Sequence, residues 1–420
     1  MVKPMNPEPS SRAVELLDRV RAFIAAEIAP VEERYHAEVS ALRTGGGNPW
    51  EPLPLLDELR VKARAAGLWN LFLPAEHAGD YAERFGTSGG LGLTNVEYAP
   101  IAEETGRSEL APYVFNCNAP DTGNMEVLLR YGTAEQRERW LEPLLAGSIQ
   151  SAFAMTEPGV ASSDATNMAA TAVNDGDDIV INGRKWWTTG IGHPRCEVLI
   201  FMGVSDPLAP RRSRHTMVLV PRNAPGVHVE RLLPAMGRYD EPFGHGEVSF
   251  TDVRVPATNV LLGPGRAFEI AQGRLGPGRV HHCMRLIGLA EMALELACRR
   301  GRERTAFGKP LVELGGNKER IAKARIAIDT ARLLVLNAAW KLDTVGPGGS
   351  LGEVSQIKAH VPGVVQEVVD FAMQIHGGGG LSDDFPLAGA WSLARQLRLA
   401  DGPDEVHLGV ISRLELAKYV

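Results

Sequence analysis

The stretch Val198-Leu199-Ile200-Phe201-Met202 is the clearest of several short apolar runs in the middle of this 420-residue chain. Ile179-Val180-Ile181 precedes it and Met217-Val218-Leu219-Val220 follows it. Turn residues separate these runs at Asn174-Asp175-Gly176 and Asn182-Gly183. Short runs rich in β-branched residues, bounded by turn residues, are typical of strands. The sequence therefore predicts a middle antiparallel β domain, which we place at residues 150–260.

Helical patterns lie on both sides of this segment. After it, apolar stripes run from Leu286 to Ala297 and from Ile321 to Leu336. Before it, apolar residues recur every three or four positions, as on one face of a helix: Val14, Leu17, Val20, Phe23 and Ile24. Helices and strands are thus segregated along the chain, which indicates an α+β fold rather than an alternating one. We predict an N-terminal all-helical domain at 10–149 and a C-terminal helical bundle at 261–420.

Two prolines predict helix boundaries in the C-terminal segment. Gly276-Pro277 is expected to begin the long helix that carries Leu286 to Ala297. Pro362 is expected to kink a later helix, or to mark its start, because proline lacks a backbone N–H. That later helix is predicted to end at Ile375.

Composition limits the classes of partner. The net charge of -7 and the absence of any apolar run near about 20 residues argue against nucleic acid and a membrane span. The four cysteines have no metal-binding or disulfide-scaffold spacing, so we expect reduced thiols in a cytoplasmic protein. His281 and His282 are adjacent and point to different helix faces, so no metal site is predicted.

Two C-terminal stretches carry chemical signals. Gln374-Ile375-His376-Gly377-Gly378-Gly379-Gly380 ends a predicted helix with glycines, where backbone can approach a dinucleotide phosphate closely. Asp401-Gly402 places a carboxylate at a turn between two predicted helices, a position suited to a general base. Gly278 precedes Arg279, and it cannot serve as a base because glycine has no side chain.

Three further motifs complete the pattern. Phe153-Ala154-Met155-Thr156-Glu157-Pro158 leaves a strand and enters a loop of small residues. Gly183-Arg184-Lys185-Trp186-Trp187-Thr188-Thr189-Gly190 is expected to follow a hairpin turn, with Trp187 and Thr189 on the same side of a strand. Arg304-Thr305-Ala306-Phe307-Gly308-Lys309-Pro310-Leu311 is expected to close a helix.

From about Val14 to Leu416, these motifs together resemble the FAD-dependent acyl-CoA dehydrogenase family in order and spacing. The resemblance implies an α+β fold with a middle β-barrel-like domain and a C-terminal four-helix bundle. It implies α,β-dehydrogenation of an acyl-CoA to a trans-2-enoyl-CoA, as in fatty acid β-oxidation, with electrons passed to an electron-transferring flavoprotein. It also implies a homodimer or homotetramer in which subunits share the FAD site.

The resemblance assigns roles to particular residues. Asp401 is the catalytic base, with Arg279 supporting it. FAD-binding positions are Phe153, Met155, Thr156, Ser162, Ser163, Trp187, Thr189, Arg304, Phe307, Gln374, Gly377, Gly378, Pro403 and Glu405. Substrate-binding positions are Ser163, Gly278, Arg279 and Gly402.

The sequence departs from the family pattern at three places. The loop from Thr156 to Asp164 is one residue longer, which leaves open the choice between Ser162 and Ser163. Asp401 replaces the usual glutamate and is one methylene shorter, as in an aspartate-bearing branch of the family. Pro403 replaces a hydroxyl residue, which removes one contact to the adenosine end of the cofactor.

Other functions stay open on these residues. A flavin oxidase of the same fold, including a nitroalkane-oxidising relative, would also suit an aspartate at this position. A non-catalytic acyl-CoA-binding relative or a structural helical assembly would lack bound flavin. The length and branching of the acyl chain do not follow from the motifs.

Overall fold

A computed structural model describes residues 9–86 and 92–419. The chain forms two compact units, and each is built from segments that are distant in sequence. The first consists of Met1–Ala26, Leu93–Pro112 and Gly276–Val420, and the second of Glu27–Gly92 and Tyr113–Leu275. The predicted domain junctions at 149–150 and 260–261 both lie inside the second unit, where helix gives way to strand and strand to helix.

Helices dominate both ends of the chain and strands its middle, so the predicted α+β class is confirmed. The helices are α1 (Ser11–Phe23), α2 (Ala29–Gly45), α3 (Pro54–Ala65), α4 (Asp80–Phe85), α5 (Asn95–Thr105), α6 (Ala111–Val114), α7 (Asp121–Tyr131), α8 (Ala134–Gln136), α9 (Glu142–Ala146), α10 (Ala267–Glu303), α11 (Asn317–Gly349), α12 (Leu351–His376), α13 (Leu387–Gln396) and α14 (Asp404–Leu416). The strands are β1 (Gln150–Ala154), β2 (Thr171–Asp175), β3 (Asp178–Thr189), β4 (Cys196–Val204), β5 (His215–Pro221), β6 (Val227–Leu233), β7 (His245–Pro256), β8 (Thr305–Ala306) and β9 (Lys309–Pro310).

The seven-stranded sheet of the second unit has the order β1-β4-β2-β3-β7-β6, with β5 paired to β4. The prediction of a purely antiparallel sheet was wrong, because β1 pairs with β4 in parallel along its whole length. The long connection through β2 and β3 allows this crossover, whereas a short hairpin cannot join parallel strands. One face of the sheet encloses an apolar core that includes Ile181, Phe201 and Val218.

Asn182-Gly183 is not a turn, contrary to the prediction, and β3 continues through it. The pairing with β7 shifts register between Ile181 and Gly183, so the two residues form a bulge. A Cβ on Gly183 would lie 2.4 Å from the Cβ of Ala170, so glycine permits a close approach there. The motif from Gly183 to Gly190 therefore continues a strand instead of following a hairpin.

Neither proline begins its helix, contrary to the prediction for Pro277 and to one of the two alternatives for Pro362; a kink at Pro362 stays a prediction. Helix α10 begins at Ala267 and contains Pro277, and α12 begins at Leu351 and contains Pro362. An interior proline costs about 3 kcal/mol. Buried apolar residues on both sides of each proline offset this cost: Ile270, Ala271 and Val280 in α10, and Ile357, Val361 and Val365 in α12.

The helical faces follow the predicted period with small shifts. In α1 the buried residues are Ala13, Leu16, Leu17 and Val20, whereas Val14 is 43% exposed and lies off the face. All four cysteines are free thiols, three of them buried. Across residues 9–86 and 92–419, we find no helix whose length and hydropathy would allow it to span a bilayer.

Candidate functional site

In the second unit, a buried lysine joins two of the predicted motifs. Lys185 is fully buried, and its Nζ donates to Glu157 Oε1 at 2.7 Å and to the carbonyl of Met155 at 2.9 Å. The Trp186 N–H also donates to the carbonyl of Thr156 at 2.9 Å. The strand exit that carries Met155 and Thr156 is therefore fixed against the end of β3.

Glu157 explains why the loop after β1 needs a carboxylate. Its two oxygens accept Lys185 Nζ and the backbone N–H groups of Ala169 and Ala170, at 2.8 and 3.1 Å for the latter two. A carboxylate offers only acceptors, so it satisfies three converging donors at once. Burial lowers the pKa of Lys185 to about 8, and Glu157 opposes this shift. Because the pKa stays above 7, the ammonium is charged at neutral pH. Sequence reasoning quoted both residues but gave neither a role.

The structure distinguishes the two serines of this loop. Ser162 Oγ accepts the N–H of Glu157 at 2.9 Å and is half-buried, so it stabilises the loop itself. Ser163 is exposed. Ser163 is therefore the serine whose hydroxyl is accessible to a ligand, whereas Ser162 shapes the loop.

Trp187 and Thr189 converge on a histidine that sequence reasoning missed. The register shift between Lys185 and Thr188 gives Trp187 a left-handed backbone, with φ 51°, and leaves its side chain 40% exposed. Its ring centroid lies 5.6 Å from that of His245, and Thr189 Oγ1 lies 2.9 Å from His245 Nδ1. The Thr189–His245 pairing across β3 and β7 places them together. A sequence carries no signal for such a register.

A relay of polar groups fixes the direction of the Thr189 hydrogen bond. His245 Nε2 faces Asp240 Oδ2 at 3.7 Å, and burial lowers the pKa of His245, with Asp240 opposing the shift. The neutral ring with its proton towards the carboxylate leaves Nδ1 as an acceptor, so the Thr189 hydroxyl donates to it. The hydroxyl oxygen is then free to accept a donor from a ligand.

The end of β3, beside the start of β7, fits a flat, polar aromatic ring such as the isoalloxazine of FAD. The exposed Trp187 indole offers a stacking face, and the hydroxyls of Thr156 and Thr189 offer polar partners. Trp186 Nε1 is buried and has no hydrogen-bond partner among the residues that the structure describes. Phe153, on β1, is half-buried, and the Arg274 guanidinium lies over its ring at 3.8 Å from the centroid. Its role in FAD binding stays a prediction.

In the first unit, Asp401 lies at a sharp turn between α13 and α14. Its φ is 56° and that of Gly402 is 101°, so two successive residues adopt left-handed backbone. Such a conformation costs on the order of 1 kcal/mol for a non-glycine residue and persists only where the surroundings fix it. The side chain of Asp401 is 19% exposed. A Cβ on Gly278 would lie 4.0 Å from Asp401 Oδ2, so a longer side chain at position 278 would crowd that oxygen.

Three basic side chains fix this turn through backbone carbonyls. Arg279 Nε donates to the carbonyl of Asp401 at 2.9 Å, and His407 Nε2 donates to the same oxygen at 3.3 Å. Lys358, fully buried on α12, donates to the carbonyls of Leu397 and Gly402, the latter at 3.3 Å. Burial lowers the pKa of Lys358 and that of Arg279, while Asp401 opposes both shifts. Arg279 thus supports the backbone of Asp401 and not its carboxylate.

His282 lies beside the carboxylate itself. Its Nε2 is 3.4 Å from Asp401 Oδ2, and its Nδ1 is 3.2 Å from a guanidinium nitrogen of Arg285. The prediction that the two adjacent histidines diverge agrees with the structure, since His281 instead contacts the Tyr98 ring at a centroid distance of 5.0 Å. The described residues contain no cluster that could hold a metal ion.

The remaining predicted residues of this unit lie at two places. Pro403 is the N-cap residue of α14 and Glu405 is exposed in its first turn, while the intervening Asp404 accepts Arg398 Nε at 2.8 Å. Arg304 lies at the start of the β8–β9 hairpin, whose tip carries Phe307 with 97% of its surface exposed.

Gln374, Gly377 and Gly378 are exposed at the end of α12, near that hairpin. Arg300 and His376 both contact the Phe385 ring, at 5.8 and 4.5 Å from its centroid, which brings the ends of α10 and α12 together. Gly377 has a φ of 63°, and a Cβ on Gly377 or Gly378 would meet nothing within 4 Å. Gly377 and Gly378 therefore present open backbone, as a phosphate-binding segment requires.

Known proteins resemble this chain along its whole length. Family models match the acyl-CoA dehydrogenase N-terminal domain at residues 10–148, the middle domain at 152–253 and the C-terminal domain at 265–416. Acyl-CoA dehydrogenase family member 10 of Mus musculus is 52% identical over 414 residues, which cover 98% of this chain and 38% of that protein. The chain spans about half or less of the length of the curated vertebrate relatives that it matches, 38% and 51% for the first two.

Two bacterial proteins match over nearly their full length. Probable acyl-CoA dehydrogenase FadE2 of Mycobacterium tuberculosis is 48% identical over 410 residues, which cover 97% of this chain and 96% of that protein. The solved structure of an acyl-CoA dehydrogenase homologue from Mycobacterium abscessus is 65% identical, with a TM-score of 0.93, and covers 98% of this chain and 100% of that chain. Since models of three successive domains match together with these relatives, the chain belongs to the acyl-CoA dehydrogenase family.

Proposed function

We propose that this protein is an FAD-dependent dehydrogenase that converts an acyl-CoA to its trans-2-enoyl-CoA. The observation that carries the proposal is the Asp401 turn. A carboxylate is presented on a left-handed backbone, three basic groups bond the carbonyls around it, and residue 278 beside it is a glycine without a side chain. Asp401 removes the α-proton of the thioester. FAD, when bound, supplies the hydride acceptor for the β-hydrogen.

Residues at the end of β1 and the end of β3 provide the FAD contacts in this proposal. Trp187 stacks near the ring system, while the Thr156 and Thr189 hydroxyls bond its polar edge. The Lys185–Glu157 pair holds Met155 and Thr156 in place and so acts on the cofactor only through them. Ser163, Gly278, Arg279 and Gly402 bind the acyl-CoA. Pro403 and Glu405, at the start of α14, are further proposed FAD-binding residues.

The exposed end of the first unit supports a dimer that shares its cofactor sites. Phe307 is an almost completely exposed aromatic residue at the tip of the β8–β9 hairpin, which Arg304 begins. Gln374 and the open glycines at 377 and 378 are exposed at the end of α12. We propose that these residues contact the FAD of a second subunit, in a homodimer or homotetramer. An electron-transferring flavoprotein is the proposed electron acceptor.

An anaerobic spectral titration tests the activity. The purified FAD-loaded protein is titrated with butyryl-, octanoyl- and palmitoyl-CoA while the visible flavin band is followed. We expect one chain class to bleach the band in the wild type and not in Asp401→Asn, since general base catalysis contributes roughly 10²–10⁴-fold. Flavin that no CoA ester reduces would contradict the proposal and favour a non-CoA substrate.

Asp404→Asn is the matched control. It removes a carboxylate from the same turn, but one that is bound to Arg398. We expect Asp404→Asn to keep most of its bleaching rate. Equal loss in both variants would show that the turn as a whole, and not the Asp401 carboxylate, is what the reaction requires.

A further inference from the structure

The imidazole beside Asp401 has a defined tautomer. The guanidinium of Arg285 can only donate hydrogen bonds, so His282 Nδ1, at 3.2 Å from it, must accept. Burial lowers the pKa of His282, with Asp401 opposing the shift, so the ring is neutral near pH 7. Its one proton is therefore on Nε2, the nitrogen that faces Asp401 Oδ2 at 3.4 Å. Free enzymes often have long contacts of this kind that shorten when substrate binds.

We propose that His282 is a positioning residue for Asp401, in which the Nε2–H donates to Oδ2 and holds the carboxylate in one rotamer. This inference rests on the proposed function of Asp401 as base. The reason lies in the length of the side chain. An aspartate carries its carboxylate one methylene closer to its own backbone than a glutamate, so a small rotation displaces the oxygens from the proton to be removed. A hydrogen bond from His282 to the carboxylate restricts this rotation.

The two ends of the dyad are fixed by different elements. Arg285 and His282 are three residues apart on α10, so the arginine holds the ring from one side along one helix face. Arg279 and His407 hold the Asp401 carbonyl from α10 and α14. The backbone of the aspartate and the ring of the histidine are thus both anchored, and the Nε2–H of His282 acts on the carboxylate at Oδ2.

The electrostatic surroundings determine the sign of the effect on pH dependence. Among the described residues, the charged and titratable groups around this dyad are Arg279, His281, Cys283 and Arg285 on α10, Lys358 on α12, and Asp404 and His407 on α14. All remain present when His282 alone is changed. A donor to the ionised carboxylate favours that form over the acid, so its removal makes the base protonate at a higher pH.

Three substitutions separate positioning from packing. His282→Gln keeps an N–H donor near the position of Nε2. His282→Asn keeps a polar side chain that is too short to reach Asp401, and His282→Leu fills a similar volume without a donor. Melting temperature and bound FAD per chain are measured first for all three. We expect both to stay close to the wild type.

The kinetic measurement is the single-turnover rate of flavin bleaching against pH, with the acyl-CoA of the panel that bleaches the wild type fastest. We expect His282→Leu and His282→Asn to slow bleaching about 10- to 100-fold. The acidic limb of the plot of bleaching rate against pH should move up by about one pH unit. His282→Gln is expected to recover most of the rate. A structural role alone would lower the melting temperature without moving the acidic limb.

A second measurement needs no turnover. Crystal structures of the FAD-loaded wild type and His282→Leu are compared at pH 7, and we expect one Asp401 rotamer in the first and more than one in the second. A single unchanged rotamer, with unchanged rate and acidic limb in His282→Leu, would overturn the inference while leaving Asp401 as base. Bleaching that survives in Asp401→Asn would overturn the base assignment and this inference together.

Discussion

Replacing Lys185 by methionine should destabilise the second unit more than any surface change. Its Nζ donates to Glu157 Oε1 at 2.7 Å and to the carbonyls of Met155 and Met202 at 2.9 and 2.6 Å, inside a fully buried site. Methionine fills similar volume but leaves the Glu157 carboxylate, itself 5% exposed, without its counter-ion. Breaking a buried pair from one side costs roughly 3–5 kcal/mol. This corresponds to a drop in melting temperature on the order of 10 °C.

Arg184→Met is the matched control, one residue earlier on β3. Arg184 pairs with Glu247 at 2.7 Å but is 55% exposed, and Arg231 also bonds Glu247 at 2.7 Å. Its removal should cost under about 1 kcal/mol. Both variants are melted with saturating FAD at one pH, and bound FAD per chain is counted. The reasoning would be refuted if Lys185→Met melted within about 3 °C of Arg184→Met.

Two other predictions follow from single side chains of the second unit. Burial raises the pKa of Glu126 from its ordinary value of 4.5 to about 7, so the folded protein binds this proton more tightly than the unfolded chain. About 3 kcal/mol of stability should then be lost as pH rises from 4.5 through 7. In Glu126→Gln the melting temperature should depend less on pH over this range and should exceed that of the wild type at pH 8. Parallel plots of melting temperature against pH for the two proteins would contradict the raised pKa of Glu126. His245→Phe removes the group that orients the Thr189 hydroxyl at 2.9 Å, so we expect FAD to bind about tenfold more weakly by fluorescence titration. Unchanged affinity together with an unchanged visible band would show that the Thr189 hydroxyl needs no such partner.

Sequence reasoning succeeded where local pattern and physics agree. The 3.6-residue and two-residue periods of the apolar residues predicted helical ends and a β middle, because burial of one face is a local requirement on each element. Predictions of turns and helix starts failed at glycine and proline, because each of these residues occurs in more than one kind of local structure. Asn182-Gly183 resembles a turn, but close packing against Ala170 makes it a bulge, and Pro277 lies inside a helix that apolar burial holds together.

The residues that complete the candidate site could not be found by such patterns. His245 meets Thr189 only through the register of β3 with β7, and His282 meets Asp401 only through the packing of α10 beside the α13–α14 turn. Lys185 and Glu157 are two charged residues within strand-like motifs, and such residues must be either exposed or paired. Nothing in the sequence indicated which of these two conditions applied.

By itself, the sequence determined the fold class and the family, because these depend on residue types and on short spacings. The catalytic and binding roles that it assigns to individual residues stay predictions. Only the tertiary structure decided which side chains meet. It showed that Ser162 is used by its own loop, that Arg279 holds the backbone of Asp401, and that His282 faces the carboxylate. Such contacts join residues far apart in the chain, and their distances depend on the packing of whole elements, which no local stretch of sequence encodes.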